Sequence, residues 1–341
     1  MYIIISMTNV ILLLIASLLL VFVASLIFVN AIEYLGFHLR LGSSFVGAII
    51  APLFTSIPEM TVFLVAIFAY RGQAGEAIGV GTIFGQPFMA SSLSYGLVGI
   101  AVLVGFWRKK RNTTDLVIDK TLVIPYVFIT VLFPLTLVPG LIGIPALRPI
   151  FGFIFLGAFI LYIGIMYRKR MAEIIDEVDE VYLCDFIPGL KPFKMTGALI
   201  QLAISVFLLY LGSEKMVHFV DVLSRGIGIS PLGLALIIVP AATAIPETSS
   251  ALIWGYRGKD TLSLGSLVGE KVLYSTFYPG LGLFLTSWVL DIHAYISVIA
   301  TTVISLILLY YIRKQKLPWY GLCVGLVFFF AYAIMLFVFH R

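Results

Sequence analysis

Charge is what this sequence has least of. Asp, Glu, Lys and Arg make up 11% of it, against about a quarter in an ordinary soluble domain. Hydrophobic residues make up 61%, which excludes a soluble protein with an oversized core. Cysteine is nearly absent. Cys184 falls in a polar stretch and Cys323 in an apolar one, so no disulfide joins them in this reading. Histidine is as scarce, with His38, His218, His293 and His340 near the ends of apolar runs. No H-E-x-x-H occurs, and no Ser or Asp stands at a catalytic spacing from a histidine. Neither a zinc protease nor another intramembrane hydrolase is legible. Met1–Asn9 holds no Lys or Arg and no A-x-A-like site follows, so a cleaved signal peptide is not expected.

What fills the chain instead is a series of apolar stretches longer than the roughly 20 residues that cross a bilayer as a helix. Ten spans are expected, at about 8–30, 43–70, 74–107, 119–138, 142–167, 196–220, 229–256, 262–290, 292–312 and 318–339. The third is long enough that it must tilt, break or run past the bilayer. Basic residues set the orientation. Arg40, Arg108, Lys109, Lys110, Arg111, Lys120, Arg168, Lys169, Arg170, Lys191, Lys194, Arg257, Lys259, Arg313, Lys314 and Lys316 fall in the odd-numbered connections. Arg71, Arg148, Lys215, Arg225 and Arg341 fall on the other side. The positive-inside rule puts the first set in the cytoplasm and both termini on the extracytoplasmic face of the cell membrane. These juxtamembrane charges account for the pI near 9.1. They imply the lipid bilayer as partner and no nucleic acid.

The chain is also written twice. PLFTSIPE, ending at Glu59, and PAATAIPE, ending at Glu247, share the pattern Pro-x-x-Thr-x-Ile-Pro-Glu. Tyr70-Arg71-Gly72 recurs as Tyr256-Arg257-Gly258, and Ser44-Phe45-Val46-Gly47 parallels Ser230-Pro231-Leu232-Gly233. Each motif is followed by Gly-x-x-x-Gly, at Gly81 and Gly85 and again at Gly265 and Gly269. All four matches keep an offset of about 184–188 residues. Two five-span halves follow, 1–167 and 196–341. The cytoplasmic linker between them, 168–195, carries a charge run without EF-hand spacing and reads as solvated. Because five is odd, the second half enters the membrane upside down. The expected fold is an all-α integral membrane protein of ten transmembrane helices in two inverted five-helix repeats. In such transporters the site lies near the midplane, where the halves meet.

Glu59 and Glu247 fall in the middle thirds of the second and seventh spans, where an ionised carboxylate is costly. The bland alternative is a protonated Glu hydrogen-bonded between helices. Two in matching motifs favour an ion pathway. Pro58 withholds a donor from the Phe54 carbonyl and Pro246 from that of Ala242, while Pro52 and Pro240 open the helices about two turns earlier. Freed carbonyls are tolerated in hydrocarbon only where they line a cavity or find a partner. With the Thr55 and Thr243 hydroxyls and the two carboxylates they form a hard, all-oxygen set. Such a set suits calcium or sodium and disfavours soft or redox metals. Gln86 and Glu270 directly follow the second Gly of each Gly-x-x-x-Gly, and Pro87 adds another break. Lys271, placed deep in the eighth span, points about 100° away from Glu270. It is expected to reach Glu247 or Glu59 across the cavity.

These residues resemble the cation/calcium antiporter superfamily, in particular its sodium/calcium-exchanger-like branch. That branch carries G-T-S-x-P-E in spans 2 and 7, each followed by G-N-x-x-G-S-N. The matching stretches are Phe54-Thr55-Ser56-Ile57-Pro58-Glu59 and Ala242-Thr243-Ala244-Ile245-Pro246-Glu247. Gly212-Ser213-Glu214 and Ile229-Ser230-Pro231-Leu232 are similar to the approach to the second motif. The resemblance implies that Glu59, Glu247, Thr55 and Thr243 are ion ligands, joined by position by Gln86 and Glu270. Ser56, Pro52 and Pro240 complete the candidate metal-ligand set, with Lys271 as a modulating charge. The chain departs from the family at Gln86-Pro87, at Glu270-Lys271, and at Ala90 and Tyr274, where a polar or acidic ligand is usual. Three carboxylates and one ammonium leave a net charge of about −2, enough for one divalent or two monovalent ions.

The expected function is secondary active antiport of Ca²⁺, or a similar cation, against Na⁺. As the resemblance implies, spans 1 and 6 would slide over a core of spans 2, 3, 7 and 8. Two alternatives stay open: H⁺ in place of Na⁺, and a non-transporting membrane sensor or interaction protein that kept the fold. No enzyme activity is expected, and no cofactor beyond the transported cations. The sequence carries no sign of oligomeric state.

Overall fold

The computed structural model describes residues 7–38, 56–169 and 180–338. Its helices are α1 (Met7–His38), α2 (Ile57–Leu64), α3 (Gly72–Met89), α4 (Tyr95–Trp107), α5 (Val123–Leu135), α6 (Leu137–Ile142), α7 (Arg148–Lys169) and α8 (Tyr182–Phe186). They continue as α9 (Lys194–Ile227), α10 (Pro231–Thr243), α11 (Ile245–Tyr256), α12 (Asp260–Leu273), α13 (Phe277–Leu285), α14 (Ile292–Arg313) and α15 (Trp319–Val338). Two short strands, β1 (Asp115–Val117) and β2 (Lys316–Pro318), pair antiparallel with Leu116 opposite Leu317.

Among the described residues, seven helical runs are long and apolar enough to cross a membrane. The pair α10 and α11, bent by 64°, makes an eighth if it is one span. The seven coincide with the expected spans 1, 3, 4, 5, 6, 9 and 10. Gly72–Trp107 runs for 36 residues, the excess length expected of the third, and relaxes at a wide π-type turn, Ala90–Ser94. Of the second expected span only the part from Ser56 onward lies within the described residues.

The eighth expected span, 262–290, is not one helix. It breaks between α12 and α13, where Thr276 has φ −137° and ψ −79°. Pro279 has no N–H for the Ser275 carbonyl. The Ser275 and Thr276 hydroxyls bond back to Lys271 O at 2.7 Å and Val272 O at 2.6 Å, which bends a helix further. Hydropathy is blind to such a break. Most of the charge run in the linker lies outside the described residues, and the part described, from Glu180, is largely exposed but anchored at its start. Buried Asn30 of α1 donates to Glu180 O at 3.0 Å and accepts from Tyr182 N at 3.1 Å, and Gln201 of α9 donates to Asn30 Oδ1 at 2.8 Å.

The two proline-glutamate motifs begin their helices alike. Ser56 before α2 has φ −87° and ψ 3°, and Ala244 before α11 has φ −87° and ψ 4°. In each copy the first helical N–H bonds back to that residue, Met60 N to Ser56 O at 3.0 Å and Thr248 N to Ala244 O at 3.1 Å. Pro58 and Pro246 sit in the first helical turn, where a missing N–H costs nothing.

Close backbone approach fixes the centre. A β-carbon at Gly81 would lie 2.7 Å from Leu232 O, and one at Gly85 only 2.6 Å from Leu236 O. Pro240 leaves the Leu236 carbonyl without its helical donor, and the glycine face of α3 closes over it. Small residues let membrane helices meet in this way. Gly265, in the second Gly-x-x-x-Gly, has nothing within 4 Å of its β-carbon position. At the end of α4, Arg111 spends all five of its N–H donors. They go to Thr113 O, Gly255 O, Asp115 O and both oxygens of Asp260. Asp260 also accepts from Val117 N at 2.9 Å, so one buried ion pair ties α4, β1, α11 and α12 together.

Two stability predictions follow from these contacts. Gly85→Val overpacks a contact whose other side is backbone, and is expected to cost about 1–3 kcal/mol or more, whereas Gly265→Ala is tolerated. Arg111→Ala strands a buried carboxylate and is expected to cost about 3–5 kcal/mol. Thermal unfolding of the purified variants in detergent checks both. Equal melting of the Gly85 and Gly265 variants would contradict the first.

Candidate cation site

Glu59 lies in the first turn of α2 and is 0% exposed. Neither of its carboxylate oxygens makes a well-formed hydrogen bond, the donors beside it being its own backbone N–H and the Thr243 hydroxyl. The Thr243 hydroxyl, which donates to Val239 O at 3.1 Å, sits beside it, and Glu270 is its nearest charged influence. Glu270 of α12 accepts a 2.7 Å hydrogen bond from Gln86 Nε2 of α3. The two equivalent repeat positions therefore meet directly. The Gln86 Oε1 atom is buried without a donor. Tyr274, in the break after α12, feels both Glu59 and Glu270, and its buried hydroxyl has only that of Tyr278 beside it, without a well-formed hydrogen bond.

The broken helices hold this arrangement in register. Tyr278 of α13 stacks on Tyr274, with ring centroids 4.2 Å apart at 21°. Its hydroxyl lies 2.9 Å from the Ser56 carbonyl and 2.7 Å from the Ser56 hydroxyl, joining α13 to the start of α2. Glu247 occupies the first turn of α11, buried, four residues after Thr243 and next to Thr248. The Thr248 hydroxyl meets that of Ser94 at 2.8 Å, which joins α11 to the wide turn between α3 and α4.

Of the expected ligands, Glu59, Thr243, Glu270 and Gln86 converge on one place, and Ser56 reaches it through Tyr278. Pro240 gives its carbonyl to Ala244 N at 2.9 Å. Thr55 and Pro52 lie outside the described residues. No three His, Cys, Asp or Glu side chains among the described residues form a ready metal cluster, so the set depends on amide, hydroxyl and carbonyl oxygens as well. His293 is taken up by packing under Gly233 and beside Tyr332.

Lys271 corrects an expectation. Its Nζ does not reach across to Glu59 or Glu247. It donates to Ser305 Oγ of α14 at 3.0 Å, with the ring centroids of Tyr95 and Tyr126 at 5.0 and 5.2 Å. Those two phenols bond each other at 2.8 Å. The helical turn explains the direction: with Glu270 facing α3, its neighbour must face α4, α5 and α14. The aromatic box and Tyr278 were not foreseen. Only the i, i+4 spacing of Tyr274 and Tyr278 hinted at the stack.

Chemically, carboxylates this deep and this near each other need a proton or a cation to offset desolvation and mutual repulsion. Buried oxygens without a well-formed hydrogen bond call for the same explanation. Glu59 contributes two, Gln86 one and Tyr274 one, all around Glu270.

The comparisons with known proteins give the family of the chain. The model of the sodium/calcium exchanger protein family matches residues 9–168 and 197–340. The chain belongs to this family. CaxA of Alkalimonas amylolytica, named as an antiporter, is 25% identical over 321 residues, covering 91% of this chain and 93% of that protein. The fold is similar to the crystal structure of the H⁺/Ca²⁺ exchanger CAX, with a TM-score of 0.75 at 19% identity over 97% of this chain and 83% of that one. It is also similar to native YfkE, at 0.67 and 15% identity over 97% and 92%. The sodium-calcium exchanger NCX_Mj gives 0.57 at 19% identity over 96% and 98%. Membership makes this a multi-pass membrane protein of the cation-exchanger type, and its relatives are transporters rather than enzymes.

Lys271→Met is expected to melt within about 1.5 kcal/mol of wild type, since no carboxylate loses a partner. Lys271→Ala opens a cavity and is expected to cost about 2–5 kcal/mol. A collapse of the Met variant in a detergent melt would show that the ammonium itself holds the helices.

Proposed function

We propose that this chain is a secondary active antiporter that exchanges Ca²⁺, or a cation of similar charge and size, for Na⁺ by alternating access. Glu59 and Glu247 are its midplane ligands. The observation that carries this reading is the group of buried oxygens of Glu59, Gln86 and Tyr274, without well-formed hydrogen bonds, around Glu270. Calcium takes six to eight oxygens in flexible geometry, and carboxylate, amide, hydroxyl and proline-freed carbonyl oxygens supply that kind of shell. Thr55, Thr243, Ser56, Pro52 and Pro240 complete the set in this reading.

The architecture proposed with it is ten transmembrane helices as two inverted repeats, 1–167 and 196–341, with 168–195 cytoplasmic and both termini outside. The matching backbone at Ser56 and Ala244 supports the repeat. So does the pairing of Gln86 with Glu270. The basic residues at the α4–β1 and α11–α12 connections support the orientation.

A second reading has H⁺ as counter-ion. It is favoured by the positions where a monovalent ion would need oxygen ligands. Ala90 has none to offer, Tyr274 is stacked on Tyr278, and Lys271 has turned away into its tyrosine box. Two protons against one Ca²⁺ would balance charge on two carboxylates.

Uptake of ⁴⁵Ca²⁺ into proteoliposomes separates these readings. With Na⁺ loaded inside at equal pH, uptake above empty liposomes is expected, and Glu247→Gln is expected to reduce it to background. Uptake driven only by an acid-inside gradient would transfer the proposal to H⁺. Absence of uptake under either gradient would sink transport and leave a silent relative of the fold.

A further inference from the structure

Between α4 and α11 the surface carries an open groove of about 550 Å³. That lies within the roughly 300–1,000 Å³ of small-ligand sites. Its walls are apolar, formed by Leu97, Ile100 and Val104 on α4 and by Ile253 and Tyr256 on α11. At one end stands Arg257. The two helices are pinned together at this end. A β-carbon at Gly105 would lie 2.3 Å from Tyr256 O, and the buried Arg111 donates to Gly255 O at 2.7 Å. The residues that follow each helix therefore share one level, which brings Arg108, Lys109 and Lys110 to the same edge as Arg257 and Lys259. All five are exposed. None forms a salt bridge among the described residues. The adjacent acid, Asp260, is already held by Arg111 and Val117 N. Trp107, 68% exposed, marks the same level as a membrane interface.

We infer that this groove binds one anionic phospholipid, with an acyl chain between α4 and α11 and the phosphate on Arg257 and the cations beside it. The apolar walls select a hydrocarbon chain, and five cations without acidic partners select a negative headgroup. A membrane surface carrying anionic lipid supplies both in one molecule. α11 carries Glu247 at its other end, so the lipid grips a helix of the candidate cation site. The inference does not depend on which ions are exchanged there.

Native mass spectrometry of the full chain tests it, with detergent micelles doped with dioleoylphosphatidylglycerol or, separately, dioleoylphosphatidylcholine at equal mole fraction. Selective retention of one phosphatidylglycerol per chain is expected. Arg257→Gln is expected to weaken it about fivefold, the worth of one basic residue at an anionic surface. Ala101→Trp, which fills the groove and leaves every charge in place, is expected to abolish it. Equal retention of both lipids would overturn the inference. So would phosphatidylglycerol binding that survives the filled groove, or lipid-free dimers joined through this face. Unchanged melting of both variants separates lost binding from lost folding.

Discussion

A carbonyl that loses its helical donor inside hydrocarbon must find another partner, and this constraint organises the centre of the molecule. Pro240 creates the problem inside α10. The solution there is a tertiary contact. The Leu236 carbonyl, released by Pro240, is closed over by Gly85. The Ser56 carbonyl, at the break before α2, keeps its helical donor Met60 N and also accepts from the Tyr278 hydroxyl. The helices that break are therefore the helices that must touch, and they touch around Glu59.

Buried charge is treated in three different ways. Arg111 and Asp260 satisfy one another completely, with backbone groups taking the remaining donors and lone pairs. Lys271 has no acidic partner in its box and is held by two tyrosine faces and one hydroxyl. Such faces attract a cation through their quadrupole. Glu59 has neither solution. The contrast sets Glu59 apart from the charges that the fold itself satisfies.

The family and the membrane character were legible in the sequence, and so was the meeting of Gln86 with Glu270. Composition, the paired Pro-x-x-Thr-x-Ile-Pro-Glu motifs and the offset between Gln86 and Glu270 depend on local spacing alone. Spacing also foretold that Glu270 and Lys271 face apart, since a helix turns about 100° per residue. It could not say what waits on the far side of Lys271. The break at Tyr274–Thr276 was hidden for another reason. Hydropathy sums side chains over a window, whereas the break is a matter of single backbone hydrogen bonds around Pro279. In the sequence Arg111 is one more orienting charge, because its carboxylate partner lies 149 residues away.

By itself, then, the sequence determined that the chain enters the membrane, where its helices can be interrupted, and which carboxylates lie deep within its apolar runs. These follow from residue type and helical period, both properties of a single segment. Only the tertiary structure decided which oxygens stand together, that Lys271 faces tyrosines rather than carboxylates, and that Arg111 locks α4 to α12. Those outcomes depend on which helix faces meet. Helices in lipid meet by close packing and by mutual satisfaction of polar groups, which no one segment contains.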